Sequence, residues 1–123
     1  WGHNNRSVGV RVPASSDAAR RLEHRIAGAD ANPYLVTAAV LAGMLEGLER
    51  ELTPPPPVVR NAYEEPVPAL PASMAEAITL FERSDFVRRM LGVEYRSLIA
   101  HLKRAEAEAF AREITPLERL TYL

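Results

Sequence analysis

Two short runs decide the fold: Ser7-Val8-Gly9-Val10-Arg11-Val12-Pro13 and Arg20-Arg21-Leu22-Glu23-His24-Arg25-Ile26. In the first, Val8, Val10 and Val12 alternate with Ser7, Gly9 and Arg11, the period-two pattern of a half-buried strand. Pro13 ends it, and Ala14-Ser15-Ser16-Asp17 carries loop chemistry. In the second, Arg21, Glu23 and Arg25 alternate with Leu22, His24 and Ile26, so a strand there puts Glu23 and Arg25 on one face. A connection of about six to seven residues suits a hairpin. The pattern predicts an α+β fold: a short antiparallel strand pair at residues 7–12 and 20–26, followed by a mainly α-helical body. An unpaired edge on Ser7–Val12, with its three valines, would recruit other chains, so self-association through this end is expected.

Downstream, Asn32-Pro33 is a helix start, Asn capping free N–H groups and Pro suiting the first turn. Tyr34, Ala38, Leu41, Leu45, Leu48 and Leu52 then fall on one face of a helix over 33–52. Its apolar run, Pro33 to Leu45 broken only by Thr37, is shorter than the roughly 20 residues of a membrane span and predicts a buried core helix. Gly43 and Gly47 are expected to let another backbone approach closely. Pro54 to Pro57 stop the helix, and seven of the ten prolines lie between Pro54 and Pro71. This predicts an extended connection over 53–72 that wraps a surface. Ser73-Met74-Ala75-Glu76 is a capping box opening a helix to about Ser84. A short helix over Asp85–Leu91 stops at Gly92. A long one over Val93–Glu113 places Tyr95, Leu98, Leu102, Ala105 and Ala109 on one face and pairs Arg104 with Glu108. Thr115-Pro116-Leu117-Glu118 is a second capping box. Residues 1–30 thus hold the strands, 33–52 the core helix, 53–72 the connection and 73–123 the C-terminal helices.

Composition is that of an ordinary globular domain, 47% hydrophobic and 25% charged. The absence of cysteine removes disulfides, thiolate nucleophiles and zinc fingers, and fits a reducing compartment. Charge is uneven. Residues 1–26 hold five arginines against Asp17 and Glu23, while the whole chain is −1. That pattern marks a local anion site and argues against nucleic acid as a partner, which would favour a basic domain. The chain opens on Trp1 and runs at once into strand-like sequence, as expected for the C-terminal portion of something larger.

The chemistry-bearing residues sit at this basic end. Arg6 and Arg11 are permanently charged forks for phosphate or carboxylate, beside Asn4, Asn5 and Gly9; surface salt bridges explain them equally well. Glu23, flanked by Arg21 and Arg25, has its charged form favoured, as a metal ligand requires, and an ion-pair ladder is the competing account. One carboxylate does not make a metal site. His24 faces away from Glu23, His101 lies on the long helix at a packing or surface position, and His3 precedes Arg6 in a loop. No Gly-rich phosphate loop, HExxH or Ser/His/Asp constellation is present.

Taken together, Asn5-Arg6-Ser7-x-x-x-Arg11-Val12-Pro13, Arg21-Leu22-Glu23-His24-Arg25, Ala31-Asn32-Pro33-Tyr34-Leu35 and Ala42-Gly43-Met44-Leu45-Glu46-Gly47 resemble the C-terminal part of the glutamine synthetase catalytic domain. Phe86 to Gly92 resemble its terminal helices more loosely, so the likeness spans essentially the whole chain. The lead-in Trp1-Gly2-His3-Asn4 looks more like the γ-glutamylpolyamine and γ-glutamylputrescine synthetase branch. Ser16-Asp17-Ala18-Ala19 departs from the basic nucleotide-side residue usual in ammonia-specific members.

The resemblance implies an ATP-dependent ligase that joins glutamate to ammonia or an amine through γ-glutamyl phosphate, in a cytoplasmic homo-oligomer that uses Mg²⁺ or Mn²⁺. Carried over by motif, Glu23 is a metal ligand. Arg25 contacts glutamate and the transferring phosphoryl group, Arg6 is shared by glutamate and ATP, and Arg11 lies on the nucleotide phosphates. Arg6 and Arg25 are the catalytic pair. The family's remaining metal ligands, its amine-deprotonating acid and its N-terminal domain lie upstream of the counterpart of Trp1, so this chain alone is expected to be inactive. The alternative is a non-catalytic relative or a structural and oligomerisation module. Four charged groups kept on one edge argue against that alternative.

Overall fold

The strand over Val10–Val12 (β2) is the middle of a three-stranded sheet in this computed structural model, which describes residues 1–122. Glu23–His24 (β3) pairs with it antiparallel, as the predicted strand pair requires, and the register sets Arg11 opposite Glu23 and Val10 opposite His24. Both strands are shorter than expected, although the Arg25 amide donates to the Gly9 carbonyl at 2.8 Å and extends the contact. On the other side Gly2–His3 (β1) pairs parallel to β2, with Gly2 opposite Arg11 and His3 opposite Val12. This strand was not foreseen, because two residues carry no alternation to read.

β1 overturns the unpaired-edge expectation. Arg11 and Val12 pair with β1 on one side and Val10 and Arg11 with β3 on the other, Val8 is buried, and Val10 and Val12 are half-buried. The valines find cover within the chain.

The chain divides into two compact units, Trp1–Pro68 and a second that begins at Ala69. In the first, the Pro33–Glu49 helix (α1) starts as predicted: Pro33 occupies the first turn, and the Asn32 side chain accepts from the Tyr34 and Leu35 amides at 3.0 and 3.2 Å. Its end differs. The Leu52 amide donates to the Gly47 carbonyl (2.9 Å) and the Glu51 amide to that of Leu48 (3.2 Å), with Glu51 left-handed at φ 49°. This is a Schellman motif, so the helix closes before the prolines are reached. The predicted burial of α1 is not met among the described residues: Leu41 and Leu48 are 58% and 76% exposed, because no element of this unit lies along that face. Gly47 likewise faces open space, with no approaching backbone.

Residues 53–61 form no regular element, consistent with the extended connection; a single 3₁₀ turn, Ala62–Glu64, follows under an Asn61 cap.

The second unit is helical: Met74–Arg83 (α2), Asp85–Met90 (α3), Val93–Ala111 (α4) and Pro116–Tyr122 (α5). The Thr115–Glu118 capping box forms in full, whereas at Ser73 the Glu76 carboxylate accepts from the Ala72 amide (2.9 Å) and not from that of Ser73. Ser73 Oγ accepts from the Glu76 amide at 3.2 Å, and Thr115 and Glu118 bond reciprocally at 3.2 and 2.8 Å. Gly92, at φ 91°, separates α3 from α4 in a conformation that costs glycine least. The core lies between α2, α3 and α4, around Ile78, Val87 and Ala100, with Phe81 and Tyr95 edge to face at 6.4 Å. The predicted α4 face is therefore rotated. Leu98 and Leu102 are exposed and Ala100 is buried, because the small side chain lets α2 approach. Arg104 accordingly pairs with Glu82 on α2, not with Glu108, and Glu108 pairs with Arg112 at 3.9 Å.

Candidate functional site

The β2–β3 register brings Arg11 and Glu23 face to face, and that pairing organises the site. Arg11 Nη1 donates to both Glu23 oxygens, at 3.0 Å to Oε2 and 3.3 Å to Oε1. Arg25 Nη1 reaches Oε2 at 3.5 Å, so Glu23 and Arg25 do share a face, two residues apart. Both guanidiniums favour the carboxylate. The hydrogen bond from Arg11, then the charges of Arg11, Arg25 and Arg21, hold Glu23 below the usual carboxylate range. Asn4 completes the cluster: left-handed at φ 48°, it accepts from Arg11 Nη2 through Oδ1, and its amide donates to the Val12 carbonyl at 2.8 Å. Arg11 is the least exposed member, its side chain 15% accessible and its Nε buried without a hydrogen-bond partner.

Arg6 stands apart. It is exposed between Asn5 and Ser7, and no hydrogen bond or ion pair joins it to the other three among the described residues. Of the four residues singled out, the fold brings Arg11, Glu23 and Arg25 together and leaves Arg6 free to meet a ligand.

What this arrangement can hold is specific. Glu23 stays ionised and offers Oε1 as its less engaged oxygen, which suits one position in an oxygen-ligand shell of a hard cation. Among the described residues no group of three or more His, Asp or Glu side chains forms a metal cage, so Glu23 fits as one ligand and no more. Arg11 commits Nη1 to Glu23 and Nη2 to Asn4, and its buried Nε has no hydrogen-bond partner. His24 lies outside the cluster. His101 lines a cleft of about 270 Å³ in the helical unit with Glu82, Arg96, Ser97 and Arg104, which contains no residue of the strand site.

Sequence reasoning passed over how Asn5 and Ser7 are used. Asn5 Oδ1 accepts from the Ser7 amide at 2.9 Å and its hydroxyl at 2.7 Å, an Asx turn that Asn-x-Ser could have signalled. Nothing local could have signalled that Asn5 Nδ2 donates to the carbonyls of Val58 and Arg60, more than fifty residues away.

Comparison with known proteins agrees with the motifs. Residues 1–122 match the glutamine synthetase catalytic domain. The chain is 42% identical to the γ-glutamylputrescine synthetase PuuA of Escherichia coli (strain K12), over 96% of this chain and 25% of that protein. It is 38% identical to a glutamate–isopropylamine ligase of a Pseudomonas species (100% and 28%) and 34% identical to a glutamine synthetase of Methanocaldococcus jannaschii (100% and 29%). The solved structure of GmaS without ligand superposes with a TM-score of 0.84 at 32% identity, over 99% of this chain and 29% of that one. The chain thus spans between a quarter and a third of the length of these relatives. With residues 1–122 matched and the fold shared, this chain belongs to the glutamine synthetase family, as part of its catalytic domain.

Proposed function

We propose that the chain supplies one edge of the active site of an ATP-dependent glutamate–amine ligase. In the first step a γ-carboxylate oxygen of glutamate attacks the γ-phosphorus of ATP and ADP departs. In the second the amine nitrogen attacks the acyl carbon, phosphate leaves and the nitrogen loses a proton. Both steps move negative charge between oxygens, so fixed cations suffice and no covalent protein chemistry is required. Arg6 and Arg25 are the guanidiniums that meet glutamate and the phosphoryl oxygens. Arg11 holds Glu23 in register, and its nucleotide role is confined to the flank left by that pairing. Glu23 provides one oxygen to Mg²⁺ or Mn²⁺, which when bound would neutralise phosphate charge.

The observation that carries this reading is an ionised carboxylate held between two arginines on paired strands, with Arg6, apart from them in the same unit, without a partner among the described residues. The relatives named for putrescine and isopropylamine favour an organic amine over ammonia as acceptor. Homo-oligomeric assembly and a cytoplasmic setting accompany the reading; among the described residues no helix is long and apolar enough to cross a membrane.

The test is amide formation by the protein carrying the complete catalytic domain, with ATP, glutamate and, in turn, putrescine, isopropylamine and ammonia. Arg6→Ala is expected to lower kcat/KM by about 10²–10³-fold, and residues 1–123 alone to show no turnover. Absence of ligation with every amine would favour a non-catalytic structural relative, and turnover by residues 1–123 would overturn the one-edge account.

A further inference from the structure

We propose that Asn5 and Ser7 are positioning residues for Arg6, holding its backbone against the proline-rich segment as against a rail; the inference rests on the role given to Arg6 above. Asn5 uses its whole side chain. Nδ2 donates to the Val58 carbonyl (3.0 Å) and the Arg60 carbonyl (2.8 Å), while Oδ1 accepts from the Ser7 amide and hydroxyl. Ser7 Oγ in turn accepts from the Ala62 amide at 2.8 Å. The residues on both sides of Arg6 are therefore tied to 58–62 and to each other, while Arg6 itself makes no hydrogen bond or ion pair among the described residues.

The fastening continues upstream: the Trp1 indole donates to the Pro55 carbonyl at 2.7 Å, and the Val58 amide donates to the Trp1 carbonyl at 2.8 Å. A proline-rich rail suits this use. Pro54 to Pro57 restrict φ where the Trp1 indole docks, and the non-proline residues 58–61 that follow form no regular element, which leaves the Val58 and Arg60 carbonyls free to accept. A guanidinium recognises an anion bidentately only when its base is fixed, and displacement of about 1 Å can cost two orders of magnitude in rate. An exposed arginine on a loop has no such fixity unless its neighbours supply it. Here Asn5 and Ser7 do.

The experiment is a pair of double-mutant cycles in the protein carrying the complete catalytic domain, together with backbone relaxation of residues 1–123. Asn5→Ala and Ser7→Ala are each expected to lower kcat/KM by about 10-fold or more. Combined with Arg6→Ala, neither should lower it further, since both act through Arg6. Ser7→Thr, which keeps the hydroxyl, should restore activity. The Arg6 amide order parameter should fall from roughly 0.85 to below about 0.6 in Asn5→Ala. Losses that multiply with that of Arg6→Ala, or an unchanged order parameter, would overturn the inference. If Asn5→Ala fails to fold, the Ser7 cycle reads the same coupling. An inactive wild type, or an Arg6→Ala variant with normal activity, would refute the functional reading instead, and the order parameter would still decide whether Asn5 and Ser7 hold Arg6.

Discussion

Gly2→Ala tests the junction between β1 and the proline-rich segment without touching a charged group. A Cβ at Gly2 would lie 2.6 Å from the Val58 carbonyl oxygen and 3.0 Å from Asn5 Cβ. The first of these is backbone and cannot rotate away, so β1 or the segment must shift. Overpacking of this kind costs about 1–3 kcal/mol. Relieving it by movement weakens the Val58–Trp1 and Asn5–Val58 hydrogen bonds, each worth about 1 kcal/mol. Strain and lost bonds are alternatives rather than a sum, and the cheaper of the two puts the penalty at about 1–2 kcal/mol. At a factor of ten per roughly 1.4 kcal/mol, exchange of the Val58 amide should accelerate about 5- to 30-fold. The urea midpoint of this unit should fall by about 1–2 M. Gly28→Ala is the control. Its Cβ would meet the Asp30 carboxylate oxygen at 2.7 Å, the far end of a side chain that can swing aside, so its effect should stay within about 0.5 kcal/mol. Unchanged Val58 protection in Gly2→Ala, measured by hydrogen exchange, would refute the close approach and with it the rail beneath Arg6.

Other substitutions and pH separate local contributions. Glu51→Gly removes a left-handed non-glycine residue at the end of α1 and is expected to stabilise it by about 0.5–1 kcal/mol, read as a higher thermal midpoint. Ser73→Ala removes the acceptor for the Glu76 amide and should cost about 1 kcal/mol, seen as loss of α2 protection in hydrogen exchange. Glu23 and Glu118 both have carboxyls lowered by native hydrogen bonds, from Arg11 and from Thr115 respectively. A carboxyl lowered in the folded state stabilises fully above its unfolded value and loses that contribution as pH falls through its folded value. Stability should therefore hold at neutral pH and decline on acidification below the usual carboxylate range, less steeply in Glu23→Gln.

The elements legible in the sequence were those whose cause is local. Asn32 with Pro33, Ser73 with Glu76 and Thr115 with Glu118 each state a helix start within four residues, and each forms as stated. Val8 to Val12 and Glu23 to Arg25 carry enough alternation to show two strands and to put Glu23 and Arg25 on one face, whereas the register that sets Arg11 opposite Glu23 is stated by neither run. What escaped depends on partners distant in the chain. β1 is two residues long and exists because β2 offers it an edge. Asn5 looks like any loop asparagine until residues 58–62 arrive. The buried face of α4 was misread because leucines were counted as core, whereas Ala100 is the residue that lets α2 come close. The end of α1 was assigned to the prolines, although the sharper event is the left-handed turn at Glu51, which an acidic residue does not advertise.

The two accounts of Glu23, ion-pair rung and metal ligand, turn out to need the same geometry. A carboxylate that must bind a hard cation has to be ionised and aimed before the cation arrives. Arg11 achieves both by gripping Glu23 from the paired strand, and Arg25 adds a second charge on the same oxygen, Oε2. Oε1, touched only by the longer Arg11 bond, is left as the oxygen with capacity to spare. The ion pairs are thus the means by which a lone carboxylate on a strand end is kept charged and oriented. Asn4 extends the logic outward, because its acceptance from Arg11 keeps the guanidinium from turning away. Under the proposed function the expected order of sensitivity follows from this chain of support: losing Glu23 removes the proposed ligand itself, losing Arg11 removes its orientation and its charge bias, and losing Arg25 removes charge bias together with the cation proposed to meet substrate.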